Sequence, residues 1–285
     1  MTGILTIPAA DYHADPADQP SLSATIANTL CASSPKHAWT QHPKLNPDYR
    51  RTDDDKFDLG TVAHSLLLEG EAAVRVVYAD DWRTKEAKGL RDEARANGQT
   101  ALLEKHWAAV QQMVAAVREQ LDRVETTPPL FTDGLPEQTL LWQEAGVWCR
   151  ARLDWLRDDF TACDDLKTTS ASANPERWQR TLYGIGADLQ AAFYLRGLRA
   201  VTGVDAEFRF VVVETYPPFA LSVVSLAPSA LALANEKVDY ALATWRRCLE
   251  TGVWPAYLPR VAHVEMPSWE EMRWLERDAR EGAAA

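Results

Sequence analysis

The sequence predicts an α/β protein: a helical first third, then short β-type segments opening with an antiparallel hairpin, then helices again. Three observations carry this. Between residues 57 and 124 apolar residues recur at helical spacing, Leu59, Val62, Ala63, Leu66 and Leu67 forming one stripe and Leu103, Trp107, Val110, Val114, Val117 and Leu121 another. After Thr127-Pro128-Pro129 the texture changes to strands at 138–144 and 147–157, separated by Ala145-Gly146. Helical spacing returns between 175 and 201 and again from 227.

Taken in order, residues 1–20 are rich in Asp and Pro and are expected to form a loose N-terminal arm. Ser21 or Ser23 is placed to cap a short helix running to about residue 30, and Ser34-Pro35 to start another. Residues 42–54, polar and leading into Asp53-Asp54-Asp55, predict a loop. Helices are expected at 57–69, 84–96 and 100–124, and a third strand at 160–168. A β pair at 207–215 and 219–226 is broken by Tyr216-Pro217-Pro218, and 227–251 and the stretch from 268 read as helix. With no internal repeat or linker, residues 21–285 are expected to be one domain: a helical part to about 125, a core from 126 to 226 and C-terminal helices beyond.

Composition excludes more than it selects. No run approaches the roughly 18 apolar residues of a membrane span, and the first residues lack the basic and apolar regions of a secretory signal. A cytoplasmic protein is therefore expected. The four cysteines lie far apart with no CxxC pair, which argues against zinc, iron–sulfur or disulfide frameworks and for buried reduced thiols. The net charge of −11 opposes phosphate binding overall. Basic residues nevertheless cluster at Arg83, Lys85, Lys88, Arg91 and Arg95, and at Arg177, Arg180, Arg196 and Arg199, although each cluster alone reads as a solvated helix face. Most of the 11 tryptophans suit a core, with Trp39 and Trp82 as candidates for stacking on an unpaired base.

The stretch that carries chemistry runs from Arg150-Ala151-Arg152-Leu153-Asp154 to Asp165-Leu166-Lys167-Thr168-Thr169. Strand alternation points Asp165 and Lys167 one way and Leu166 the other, and puts Asp164 on the face opposite Lys167. Two neighbouring strands can then present Asp154 and Asp165 to one point with Lys167 beside them. Paired carboxylates there repel unless a hard cation such as Mg²⁺ sits between them. A lysine next to that cation can orient a water or balance charge on a phosphate, the minimum equipment for phosphodiester hydrolysis. Surface charge is the commoner meaning of such spacing. Trp155-Leu156 and the β-type residues 160–163, however, place these carboxylates at a semi-buried sheet edge.

These residues, with three further motifs in order, resemble the RecE-type exonucleases within the RecB-like branch of the PD-(D/E)xK nucleases, over about residues 22 to 226. The segment from Leu59 through Gly60 and His64 to Glu69 is similar to that family's G-x-x-x-H helix. Glu137, Leu141-Trp142 and the run Gly146 to Asp154 resemble its hairpin, Asp165-Leu166-Lys167 its D-x-K element, and Gln190 to Tyr194 its Q-x-x-x-Y helix. Leu153 replaces a proline common in relatives, and Ala187 a tyrosine.

The resemblance implies a restriction-endonuclease-like core, a mixed sheet flanked by helices. It implies a Mg²⁺ or Mn²⁺ site made by His64, Asp154, Asp165 and the Leu166 carbonyl, with Lys167 positioning the attacking water. It also implies Gln190 and Tyr194 toward DNA, digestion of the 5′ strand from a duplex end, a homo-oligomeric ring (a tetramer) and a single-strand annealing partner of the RecT type. Read from residues alone, His64 on its apolar helix is a core histidine, and the aspartates turn the balance toward a ligand. Glu137 reads equally as a base near the metal and as a strand-start carboxylate. Arg150 and Arg152 read equally as contacts to the DNA backbone and as salt bridges within the sheet. Two other functions stay open: a nuclease of this fold with another polarity or substrate, and a DNA-end-binding protein that does not cleave.

Overall fold

The computed structural model describes residues 2–50 and 58–282. The Asp53-Asp54-Asp55 run and Phe57 lie outside the described residues. In chain order the elements are β1 (Gly3–Leu5), α1 (Ala9–His13), β2 (Leu22–Ser23), α2 (Ala24–Ala32), α3 (Pro35–Thr40), α4 (Asp58–Leu68), β3 (Val74–Val77), α5 (Lys85–Ala96), β4 (Thr100–Leu103) and α6 (Glu104–Leu121). There follow β5 (Gly134–Glu144), β6 (Val147–Arg157), β7 (Ala162–Thr169), α7 (Pro175–Gly184), α8 (Ala187–Thr202), β8 (Glu207–Glu214), β9 (Leu221–Val224), α9 (Pro228–Thr251) and α10 (Ser268–Gly282).

The main sheet has the order β1-β5-β6-β7-β8-β9, and β2 also pairs with β6. It is mixed: β7 runs parallel to β8 and β2 parallel to β6, while the other pairs are antiparallel. The parallel pair β7–β8 needs a crossover, and α7 and α8 supply it. Helices cover both faces. Phe208, Phe210 and Val212 pack with Phe193 and Leu198 of α8 and Val238 and Trp245 of α9. Val211 and Val213, next along β8, turn to the other face and pack with Val62 and Ala63 of α4 and Val110, Val114 and Val117 of α6. Period 2 in the strand and the helical stripes thus meet as the sequence predicts.

Caps set where the helices begin. Ser23, Ser34 and Thr84 each accept a hydrogen bond from a first-turn N–H of α2, α3 and α5. Asn174 does the same for α7, followed by Pro175 at its first position.

Three expectations need correction. Residues 1–20 are not a loose arm: β1 pairs antiparallel with β5, and Asp15 is buried with its carboxylate on the Ser21 N–H and Oγ and an ion pair to Arg150. Buried partners offset the ordering entropy that composition alone suggested would prevail. Residues 100–103, expected in a helix, form β4 and pair parallel with β3. The chain also divides at Pro255, residues 256–285 forming a second unit that contains α10, instead of one domain to the end. No helix among the described residues is long and apolar enough to cross a membrane. Cys149, Cys163 and Cys248 are buried free thiols as expected, whereas Cys31 is exposed.

Candidate metal centre

The site forms at a fork in the sheet. On one edge β6 pairs first with β2, at Cys149 and Arg150, and later with β7, at Trp155 and Leu156. Residues 151–154 between them have no strand on that side. At this opening the β6–β7 ladder stops one step short of pairing Asp154 with Asp165. Instead, Asp154 Oδ2 accepts a hydrogen bond from the Leu166 backbone N–H at 2.8 Å. That bond holds the Asp154 carboxylate across the gap between β6 and β7.

Helix α4 brings the histidine. Gly60 lies so close to β7 that a Cβ there would meet Thr168 Oγ1 at 2.9 Å, so glycine lets the helix settle onto the strand. One turn later His64 projects between two carboxylates, Nε2 at 3.1 Å from Asp154 Oδ2 and Nδ1 at 3.3 Å from Glu137 Oε1. Burial disfavours the imidazolium, but Asp154, Glu137 and Asp165 outweigh it and raise the His64 pKa.

Glu137 stands across β5–β6 from Asp154, where the register passes from Pro136↔Trp155 to Gln138↔Leu153. Its φ is 58°, a left-handed conformation that costs a non-glycine residue free energy and gathers at functional sites. Arg152 ion-pairs with its Oε2 through Nε, while Arg152 Nη1 donates to the Ile7 carbonyl at 2.8 Å. Burial nevertheless raises the Glu137 pKa, against the opposing pull of His64 and Arg152.

Strand parity holds on β7. Asp164 faces away from the site, accepting from Arg209 Nε at 2.6 Å and the Phe131 N–H at 2.8 Å. Asp165 and Lys167 face the site and form an ion pair. Gln190 on α8 donates to Asp165 Oδ1 at 2.7 Å, while Oδ2 is buried against the Lys167 ammonium. Burial, with Asp154 nearby, pushes the Asp165 carboxyl up to about 6 even though Lys167 opposes it. Burial acts on Asp154 as well, but its hydrogen bond from His64 and the charges of His64 and Lys167 leave it below the ordinary carboxylate value.

Ligand atoms of His64, Glu137 and Asp154 lie within 4.8 Å of one another, a group able to hold a metal ion. One imidazole and two carboxylates, with the Asp165–Lys167 pair beside them, fit a hard or borderline divalent cation such as Mg²⁺ or Mn²⁺. Ligation needs the neutral imidazole, so uptake of the cation releases a proton. Of the residues implied for the metal, His64 and Asp154 converge, Asp165 sits beside them, and Leu166 enters through its N–H. Glu137, read as a base or a strand-start residue, joins the ligand group, a role that depends on a cross-strand neighbour and a backbone angle.

Of the residues considered for DNA contact, Arg150 and Arg152 form ion pairs, the other reading given to them. Gln190 is turned to Asp165. Tyr194 is 9% exposed in the core, edge-on to Phe208 with ring centroids 5.9 Å apart, because α8 packs this side onto the sheet. Arg150 is buried beneath the N-terminal segment, with Nη1 donating to the Ser21 carbonyl at 2.8 Å and facing Asp15 at 3.3 Å. Arg152 neutralises Glu137. Arg196 and Arg199 are likewise tied to Glu144 and Asp239 and to Asp205.

Among solved structures the chain is similar to a provisionally named exonuclease from Eubacterium rectale, with a TM-score of 0.64 and 14% identity over 93% of this chain and 98% of that one. At that identity the likeness shows the fold alone. The protein SSO0001 superposes at a TM-score of 0.26 and 14% identity, over 71% of this chain and 96% of that chain, which carries no weight. No curated protein matches. Residues 30–265 match the sequence profile of a PDDEXK-like domain of unknown function, and with most of its length covered the chain belongs to that family, DUF3799.

Proposed function

We propose that this chain is a divalent-metal-dependent deoxyribonuclease of the RecE type, an exonuclease that removes the 5′ strand of duplex DNA from an end. The observation that carries the reading is the convergence of His64, Glu137 and Asp154 at the fork of β6 and β7, with the Asp165–Lys167 pair beside it. A bound Mg²⁺ or Mn²⁺ supplies Lewis acidity at the phosphate and lowers the pKa of a coordinated water.

The chain's own groups do the rest. His64, Asp154 and Asp165, with Glu137 of the same cluster, would hold the cation, and the Leu166 carbonyl would be a further oxygen. Arg152 fixes the Glu137 carboxylate, whose other oxygen faces His64. Lys167, half-buried against Asp165, keeps its ammonium charged because Asp165 and Asp154 outweigh the cost of burial, and so would offset charge that builds on the phosphate. Gln190 orients Asp165.

In this reading the enzyme acts in the cytoplasm as a homo-oligomeric ring, a tetramer, threaded by DNA, and leaves a 3′ single strand for an annealing protein of the RecT type. End-labelled linear duplex should be degraded in Mg²⁺, spared in chelator, and closed circular DNA spared in both. Asp165→Ala and Lys167→Ala should abolish cleavage and leave the fold and DNA binding largely intact. A folded Asp165→Ala protein that cuts at the wild-type rate removes these residues from the mechanism, and loss from closed circles overturns the requirement for an end.

A further inference from the structure

The weak point of the metal centre is Glu137. Its φ of 58° lies in the left-handed region, where Cβ crowds the backbone. Asn and Asp enter that region with help from a short polar side chain, and glutamate lacks this help. The residue before it, Pro136, has no N–H to give the ladder at that step. Left alone, the backbone would relax to the negative φ of a strand and carry the carboxylate away from His64.

Two sets of bonds oppose that relaxation. One acts on the carboxylate: Arg152 Nε pairs with Glu137 Oε2 while Arg152 Nη1 donates to the Ile7 carbonyl at 2.8 Å. The other acts on the backbone through Gln138, a side chain only 5% exposed whose amide is used at both ends. Its Nε2 donates to the Pro136 carbonyl at 2.8 Å, and its Oε1 accepts from Thr6 Oγ1 at 3.0 Å. A carbonyl can only accept, so the Pro136 bond fixes which way the amide points.

The bond to Pro136 closes a ring across Glu137, from the residue before it to the residue after it. The bond from Thr6 ties that ring to the N-terminal segment, where β1 is itself held by pairing Leu5 with Thr139. Thr6 and Ile7, neighbours in sequence, thus brace the two arms, one at Gln138 and the other at Arg152.

We propose that Gln138 and Thr6 are positioning residues of the metal centre: the chain Thr6–Gln138–Pro136 holds Glu137 in its left-handed conformation, with a carboxylate oxygen toward His64, before any cation arrives. The N-terminal segment is thereby part of the site, although it supplies no member of the ligand group. This rests on the reading of the site as a metal centre and not on the nature of its substrate. A ligand already in place loses less freedom when the cation binds, so the brace shows itself as affinity. Linkage makes the relation mutual: if the brace favours the bound cation, the cation favours the brace by the same factor.

A Mn²⁺ titration followed by electron paramagnetic resonance, without DNA, is the test. Gln138→Met keeps the length of the side chain and removes both bonds. Its Mn²⁺ affinity should fall about 10–100-fold, the range for groups that orient a ligating carboxylate. Thr6→Val should lower the affinity in the same direction and by less, and Thr6→Ser, which keeps the hydroxyl, should restore it. Thr6 is exposed, so this pair leaves the core untouched even if Gln138→Met fails to fold. In the wild type Mn²⁺ should slow amide hydrogen exchange across Gly3–Leu5, and Thr6→Val should reduce that slowing.

A purely structural role would lower the melting temperature in chelator and leave the Mn²⁺ affinity of the folded protein as it was. Wild-type Mn²⁺ affinity in folded Gln138→Met, or equal affinity in Thr6→Val and Thr6→Ser, overturns the brace. A wild type that binds no Mn²⁺ overturns the metal centre and the brace with it. One that binds Mn²⁺, loses affinity in Thr6→Val and cuts no DNA keeps the brace and overturns the nuclease reading instead.

Discussion

Gln190, which the resemblance set toward DNA, donates to Asp165 Oδ1, and this bears on what its loss should do. A group that orients a ligating carboxylate typically matters about 10–100-fold in metal affinity. Gln190→Ala should therefore weaken Mn²⁺ binding by roughly that factor while duplex affinity in chelator stays unchanged. A Mn²⁺ titration followed by electron paramagnetic resonance, beside a duplex-binding curve, separates the two roles. Wild-type Mn²⁺ affinity with weakened duplex binding returns Gln190 to the DNA. At this scale the sequence is legible where one element decides. Parity alone puts Asp165 and Lys167 on one face of β7 and sends Asp164 to Arg209 on the other. It is illegible where two elements decide. The place of Glu137 beside His64 depends on the β5–β6 register and on a φ of 58°, and no local pattern encodes either. The partners of Arg150 and Arg152, Asp15 and Glu137, are separated from them in sequence by most of a domain and by a hairpin turn respectively.

At the scale of elements, what held its expected form was long or periodic: α4, α5, α9 and the hairpin β5–β6 all fall within a few residues of their predicted spans. What changed was short and depended on a distant partner. β4 is four residues whose apolar run merges with the stripe of α6, and only β3, some twenty-five positions earlier, makes it a strand. The N-terminal segment is the clearest case, since its order comes from one buried carboxylate. Asp15 holds Arg150, Ser21 and His42, the last at 3.3 Å. Burial works against ionisation of Asp15, yet His42, Arg150 and Ser21 outweigh it and lower its pKa. A carboxylate whose folded pKa lies below its unfolded one stabilises the fold above the unfolded value, near 4, and loses that contribution as pH falls through the folded value. Asp15→Asn should thus cost about 3–5 kcal/mol at neutral pH, because it leaves the Arg150 charge buried and unpaired. The gap between variant and wild type should narrow in acid, below roughly pH 4. Denaturant unfolding at pH 7 and pH 3 reads both. Equal stability of the two proteins at pH 7 would show that the clamp contributes nothing.

Over the whole molecule the unresolved tension is charge. A nuclease with a net charge of −11 must approach a polyanion, and two of the clustered arginines, Arg196 and Arg199, are held in ion pairs within the chain. Exposed Arg177, Arg180, Lys85 and Lys88 remain for long-range attraction. A single open groove with so few phosphate contacts would lose affinity as salt rises through release of counterions. Encirclement removes that weakness, because a ring threaded by duplex cannot leave sideways even when each contact is weak. In the second unit Val261, Val264, Trp269 and Met272 are 60–89% exposed. We therefore expect light scattering at working concentration to report a homo-oligomer, with four copies the expected number. Single-encounter digestion of linear duplex, with excess competitor added after loading, should continue over long stretches and hold its processivity as salt rises even while the rate of loading falls. A monomer that digests distributively, and stops when competitor is added, would overturn the ring and leave the metal centre standing, since His64, Glu137 and Asp154 all come from one chain.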